Sequence, residues 1–312
     1  MSNVEQVVII GSGPAGNTAG LYAARAQLNP LVISSYESQL AVSHEVENFP
    51  GFEFTTGPDL NEKFEAHSKK FGCRYQYGIV SEVDFTCSPK KITVGSKVIE
   101  AHTVIIATGS SAKWLNLPSE QAFMGLGVSA CVTCDIGFCP PEGEIVLVGG
   151  GNTAMEEAIQ ASNHVKHVHM VHRRDEFRGE RILRDRVEKN EKITVHWDSV
   201  LDEVLGNESG VTGARIKNVK TGETTEFEVP MVFIAIGHKP NSAFLADSVE
   251  LEHGYVSVKG GMSAYATQTS VEGVFAAGDI ADHTYRQAIT SAGTGCMAAL
   301  DVERYLTEHD LI

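Results

Sequence analysis

Two stretches of the chain repeat one pattern of apolar and polar positions. Val7-Val8-Ile9-Ile10 is an unbroken β-branched run, the texture of a strand buried on both faces. It opens into Gly11-Ser12-Gly13-Pro14-Ala15-Gly16. Asn17 to Ala26 then carries helical spacing, and Leu31-Val32-Ile33 is a second buried strand. In mid-chain Ile145 to Val148 is again a buried run. Gly149-Gly150-Gly151-Asn152-Thr153-Ala154 follows it, then a helical stretch from Met155 to Ser162 and a strand from Val165 to Val171. Thr103 to Gly109 and Met231 to Gly237 are parallel texts, each an apolar strand that ends in glycine and closes one unit. Gly273 to Asp279 forms another buried strand ending on a glycine and a carboxylate, and a helix rich in Gly and Ala follows over 286–299. Small residues along that helix suit close packing against a flat ligand or another helix.

The glycine turns give this pattern a chemistry. Glycines permit a tight turn and close backbone approach, and the following helix presents free amides and the positive end of its dipole. Strand, turn and helix in that order suit a dinucleotide pyrophosphate. The candidates are Gly11, Ser12, Gly13, Pro14, Ala15 and Gly16 in the first turn, and Gly149, Gly151, Asn152 and Thr153 in the second. The predicted fold class is α/β, with two Rossmann-like dinucleotide-binding domains. The strands that follow end differently. The first ends at Ser34-Ser35-Tyr36-Glu37, where Glu37 stands at the distance of an acid that holds a ribose hydroxyl. The second ends in His172-Arg173-Arg174-Asp175-Glu176-Phe177-Arg178. Guanidinium forks there suit a 2′-phosphate, which predicts NADPH for this site. His164, His167, His169 and His172 crowd the same region, but no Cys or carboxylate stands with them at ligand spacing, and a metal is not expected.

Charge narrows the partners. A net charge of −15 argues against nucleic acid and anionic membranes, both of which would repel the chain. No apolar run approaches the roughly 20 residues that span a bilayer. The first residues lead into a strand without a basic segment or cleavage site, so a cytoplasmic protein is expected. In that compartment a close cysteine pair means metal or redox chemistry more often than a staple. Cys131, Cys134 and Cys139 lie within nine residues, in Ser129-Ala130-Cys131-Val132-Thr133-Cys134-Asp135-Ile136-Gly137-Phe138-Cys139. A structural zinc site needs four ligands, usually two pairs, and the chain has no second CxxC. A redox dithiol needs a lowered thiol pKa and an acid for the leaving group, and Cys131-x-x-Cys134 followed at once by Asp135 supplies those parts.

Taken together, GSGPAG, VENFPG (46–51), VIIATGS, CVTCD, GGGNTA, HRRDEFR and the stretch VFAAGDIADHTYRQAITSAGTGCMAALDVERYL resemble the low-molecular-weight, bacterial-type thioredoxin reductases along nearly the whole chain. The resemblance implies an FAD domain in two segments, 1–115 and 246–312, with an NADPH domain, 116–245, inserted between them. Residues 113–118 and 239–246 are then the two crossings. Around the flavin and its pyrophosphate arm it implies Gln39, Leu40, Asn48, Val80, Thr108, Gly109, Gly278, Asp279, Arg286, Gln287 and Ala288. It implies that Cys134 faces the flavin, that Cys131 exchanges with the substrate disulfide and that Asp135 handles the proton. The implied partner is thioredoxin or a thioredoxin-like protein, and the implied assembly a homodimer. The sequence departs from the family at Glu37-Ser38-Gln39-Leu40, where the loop is shorter. It departs again at Ile136 and Cys139-Pro140-Pro141 after the dithiol, and at Leu126, where a basic residue is common.

The function expected is a flavoprotein disulfide reductase using FAD and NADPH. The alternative is a flavoprotein reductase for a peroxidase-linked redoxin or another non-thioredoxin disulfide partner. A cofactor-binding sensor would not need an intact CxxC with an adjacent acid.

Overall fold

A computed structural model describes residues 4–35, 38–42, 46–245 and 247–312. Glu5–Ile10 is strand β1, and its last four side chains are buried, as an uninterrupted β-branched run requires. Pro14–Arg25 is helix α1 and Leu31–Ser34 is β2. Pro14 sits in the first turn of α1, where its missing N–H leaves no helical bond unmade, so the helix begins ahead of the Asn17 that periodicity alone suggests. Gly57–Lys70 forms α2, capped by the Thr56 side chain, and β3 (Arg74–Tyr77), β4 (Val80–Asp84), β5 (Lys90–Val94) and β6 (Lys97–Ile106) follow. Ser110–Ala112 is β7.

The middle of the chain contains α3 (Pro118–Ala122), β8 (Val128–Ser129), α4 (Val132–Asp135), β9 (Glu144–Gly149), α5 (Asn152–Ala161), β10 (His167–Val171), α6 (Arg181–Glu188) and β11 (Ile193–His196). An antiparallel meander, β12 (Ser199–Asn207), β13 (Gly210–Asn218) and β14 (Thr224–Phe227), leads to β15 (Met231–Ala235) and β16 (His238–Pro240). The chain closes with the short hairpin β17 (Leu251–Glu252) and β18 (Tyr255–Val256), then β19 (Val274–Ala276) and α7 (Ala288–Glu308). Helix α7 runs beyond the expected 286–299 because Val302 and Leu306 continue its buried face.

Two compact units result: Met1–Ser111 with Lys239–Ile312, and Ala112–His238. The divisions fall a few residues before the expected 115/116 and 245/246, for a packing reason. Trp114, Leu115 and Leu117 pack in the core of the second unit, while Phe244 and Leu245 pack in the core of the first. In the first unit the sheet runs β3-β2-β1-β6-β5-β4. The ten-residue β6 pairs with β1 along one edge, and along the other with β5 near its start and β19 near its end. The last strand thus joins the first sheet, Val274 opposite Val104. The second unit has a parallel sheet β11-β10-β9-β15-β8 beside the antiparallel meander. Each unit therefore carries its own sheet with parallel strands, wholly parallel in the second and mixed in the first, where β5 runs antiparallel to β4 and β6, together with α-helices and a glycine turn. Among the described residues, no helix is long and apolar enough to cross a membrane.

Candidate functional site

The first turn joins β1 to α1 and contains two kinds of glycine. A Cβ on Gly11 would lie 2.2 Å from the Ala107 carbonyl oxygen, and one on Gly16 would lie 1.9 Å from the Gly11 carbonyl oxygen. Main chain occupies both spaces, so only glycine fits. Among the described residues a Cβ on Gly13 would meet nothing within 4 Å, and Gly13 has an ordinary negative φ of −73°. The space before Gly13 is therefore open, at the end of a helix whose first amides lack intrahelical acceptors. That is the shape and donor set an FAD pyrophosphate requires. The Ser12 hydroxyl lies 2.6 Å from the Ser34 hydroxyl, and Ala15 is buried. Gly295 brings α7 against α1, since a Cβ there would stand 2.2 Å from the Ala15 carbonyl. At that point the small residue serves helix packing.

Other residues expected around the flavin lie in the same unit. Gly278, at φ +77°, ends β19 against Ala15. Asp279 follows it and accepts a 2.9 Å hydrogen bond from the Ser291 hydroxyl. Burial pushes the Asp279 carboxyl up to about 6; Asp282 adds to this, while Ser291 and Arg286 oppose it. Arg286 is held at φ +50°, its amide donating to the Asp282 carboxylate at 3.1 Å. Gln287 caps α7, whose first residue is Ala288, and its Oε1 accepts from Asn48 Nδ2 at 3.4 Å. Thr108 donates through Oγ1 to the Asn241 carbonyl at 2.9 Å, and Gly109 turns at φ +67°. Leu40 is buried with Val46 and Leu60, next to the exposed Gln39. Val80 opens β4 opposite Val94, in the core. Glu37 lies outside the described residues.

The second turn, between β9 and α5, repeats the division of glycines. A Cβ on Gly149 would meet Ala154 Cβ and the Ala235 carbonyl oxygen, each at 2.5 Å, and one on Gly150 would strike the His172 ring at 2.0 Å. At Gly151 it would meet nothing within 4 Å among the described residues. The His172 ring is buried, with Nδ1 3.1 Å from the Gly149 carbonyl and Nε2 2.9 Å from the Glu176 carbonyl. Burial lowers its pKa, although both carbonyls pull the other way. His172 thus ties the turn to the basic loop through main chain. Asn152 closes the far end of that loop, accepting from the Glu180 amide at 2.7 Å and donating to its carboxylate at 3.2 Å. Thr153 stands beside it at the start of α5. Arg173 and Arg178 are exposed on the loop and Arg174 is partly covered. Burial, then Arg178 and Arg173, lower the Arg174 pKa, so the three guanidiniums share one neighbourhood with the charge density a phosphate needs.

The dithiol lies between β8 and β9. Cys131 and Cys134 form a disulfide with Cα atoms 5.3 Å apart. Cys131 is the N-cap of α4, and its Sγ accepts from the Cys134 amide at 3.2 Å, a contact that favours a thiolate. The Ser129 hydroxyl accepts from the Cys131 amide at 3.0 Å and donates to the Asp135 carboxylate. Cys139 is buried, its thiol donating weakly to the Pro140 carbonyl at 3.6 Å, and burial pushes its pKa up.

Ser129, Gly150 and Glu144 take structural roles that no motif in the sequence marks. Only the adjacency of Ser129 to the CxxC pointed toward the first. Glu144 comes from the preceding strand to 3.0 Å from His169 Nε2, while His169 Nδ1 meets His196 Nε2 at 3.2 Å. Among the described residues, no group of three or more His, Cys, Asp or Glu side chains is arranged to hold a metal.

The model of the family described as pyridine nucleotide-disulphide oxidoreductase matches residues 5–295. A thioredoxin reductase of Vibrio cholerae is 51% identical over 98% of this chain and 98% of its own. A Pseudomonas fluorescens protein named glucosaminate ammonia-lyase is 50% identical over 96% of this chain and 95% of its own. Among solved structures, a thioredoxin reductase from Giardia duodenalis superposes with a TM-score of 0.92 at 39% identity, covering 97% of this chain and 98% of that one.

Proposed function

We propose a division of labour within a chain that belongs to the pyridine nucleotide-disulphide oxidoreductase family and, inside it, to the thioredoxin reductases. The chain is a flavoprotein disulfide reductase that draws electrons from NADPH and delivers them to thioredoxin. Bound NADPH supplies the hydride and bound FAD the two-electron carrier. The unit with the first glycine turn holds FAD through the amides around Gly13, with Asp279, Arg286 and the Asn48–Gln287 pair along its length. The unit with the second turn holds NADPH at Gly151, and Arg173, Arg174 and Arg178 read its 2′-phosphate.

Reduced Cys131 attacks one sulfur of the substrate disulfide as a thiolate and forms a mixed disulfide, releasing one substrate thiolate. Asp135 gives that thiolate its proton. Cys134 then attacks Cys131, which restores the Cys131–Cys134 bond and frees the second substrate thiol. The observation that carries this reading is the Cys131–Cys134 disulfide with Ser129 hydrogen-bonded to both the Cys131 amide and Asp135. A homodimer in the cytoplasm completes the proposal.

The test follows NADPH oxidation by the purified holoenzyme with a small aromatic disulfide and then with several thioredoxins. Thioredoxin should be reduced, and Cys134→Ser should abolish that reduction while NADPH still bleaches the flavin. Release of ammonia from glucosaminate in place of disulfide reduction would overturn the reading.

A further inference from the structure

Asn17 is a polar side chain in the middle of a helix face that is otherwise alanine and glycine, and only 1% of it is exposed. Its hydrogen bonds are specific. Nδ2 donates to the Ser12 carbonyl at 2.7 Å, and Oδ1 accepts from the Tyr75 hydroxyl at 2.6 Å. With its hydrogen on Asn17, the Tyr75 hydroxyl accepts from the Ser68 hydroxyl at 2.6 Å. The Ser12 carbonyl, which can only accept, fixes the amide orientation, because a turned Asn17 would place its oxygen against the Ser12 oxygen. Asn61 Oδ1, 3.4 Å from Nδ2, agrees with it.

We propose that Asn17, locked by Tyr75, is a positioning residue for the FAD pyrophosphate, because it fixes the orientation of the Ser12–Gly13 peptide. In a trans peptide the carbonyl and the following N–H point in opposite directions. Holding the Ser12 carbonyl toward Asn17 therefore turns the Gly13 N–H away from Asn17, and among the described residues nothing lies within 4 Å of where a Gly13 Cβ would stand. Glycine makes this peptide easy to flip, since Gly13 has no side chain to resist other backbone angles. A flipped peptide would present a carbonyl oxygen to an anion. Asn17 removes that alternative before the ligand arrives. The inference rests on the assignment of the first turn to FAD.

The test uses apoprotein stripped of flavin, titrated with FAD and with ADP, which keeps the pyrophosphate. 2′,5′-ADP, directed at the second turn, serves as an internal control. Asn17→Ala should weaken FAD and ADP alike by about tenfold, the loss expected for one hydrogen bond worth roughly 1.5 kcal/mol, and leave 2′,5′-ADP unchanged. Tyr75→Phe removes one hydroxyl, preserves the packing and folds on its own merits; it should weaken FAD and ADP by about threefold. The inference is overturned if both variants bind FAD and ADP within about 1.5-fold of the wild type, even with lowered melting temperatures, since the network would then serve stability alone. Wild-type apoprotein that binds neither FAD nor ADP would instead overturn the cofactor assignment.

Discussion

The two glycine turns solve one problem with different supports. Each needs a close backbone approach, and each contains glycines that main chain or a ring would otherwise fill: Gly11 and Gly16 in the first, Gly149 and Gly150 in the second. Each also leaves one glycine, Gly13 or Gly151, facing open space. The supports behind them have nothing in common. An asparagine–tyrosine–serine chain holds the first turn, Asn17 from its own helix α1, Tyr75 from β3 and Ser68 from α2. A buried imidazole stands behind the second, its two ring nitrogens facing the Gly149 carbonyl of the turn and the Glu176 carbonyl of the basic loop. Under the proposed function the similar turns would answer the shared demand of a pyrophosphate, while the supports are free to differ because they need only fix a peptide plane.

The largest effect should separate the two kinds of glycine. Gly16→Val places a side chain on the Gly11 carbonyl, and the first unit should fail to fold, seen as loss of protected amides in hydrogen exchange. At Gly13→Val and Gly151→Val the new Cβ meets no atom of the described residues within 4 Å. Both should fold, and they should lose FAD and NADPH respectively by about a hundredfold or more, as overlap with a bound group excludes it. A folded Gly16→Val would break the comparison.

The basic loop belongs to the second turn alone. Arg173→Ala with Arg174→Ala should raise KM for NADPH by about tenfold or more, the loss of one or two charge-assisted bonds, and leave NADH little changed. Equal losses for both nucleotides would mean that these arginines hold the fold.

The two units should also respond to pH in opposite directions. Asp279 binds its proton more tightly in the folded apoprotein, with a carboxyl near pH 6. Its stabilisation is complete below about pH 4 and lost as pH rises through about 6. In the second unit, burial pushes His196 down to about 4, helped by His169 and His167. That contribution is complete above about pH 6.5 and lost as pH falls toward 4. Each effect is about 2 kcal/mol or less after screening. Asp279→Asn should flatten the first profile, read by hydrogen exchange. His196→Gln should flatten the second, read by the fluorescence of Trp114 and Trp197, the two tryptophans of the chain, both in that unit.

The smallest effect is expected at Cys139. A buried thiol of raised pKa reacts slowly, so Cys139→Ser should change turnover with thioredoxin by less than about twofold. A tenfold loss, with Cys139 found in a disulfide by mass spectrometry, would make it a relay.

The sequence by itself determined the features that adjacent residues encode. β-branched runs announced β1, β2, β9 and β15, the glycine turns announced the junctions from β1 to α1 and from β9 to α5, and the CxxC announced the Cys131–Cys134 disulfide. Strand, turn and CxxC patterns are written in neighbours a few residues apart, so they survive without a fold. Only the tertiary structure decided the rest. Tyr75 meets Asn17 across 58 positions, and Glu144 reaches His169 across 25. No local pattern foretells either pair. The same holds for the boundaries of the units, which moved because Trp114 and Leu245 chose cores on opposite sides of the expected joints. It also holds for Gly150, whose necessity comes from a histidine ring packed on it from the next strand. Sequence period specifies which face is apolar. Which apolar or polar groups meet across that face is settled by close packing, where a single ring or carbonyl excludes every alternative.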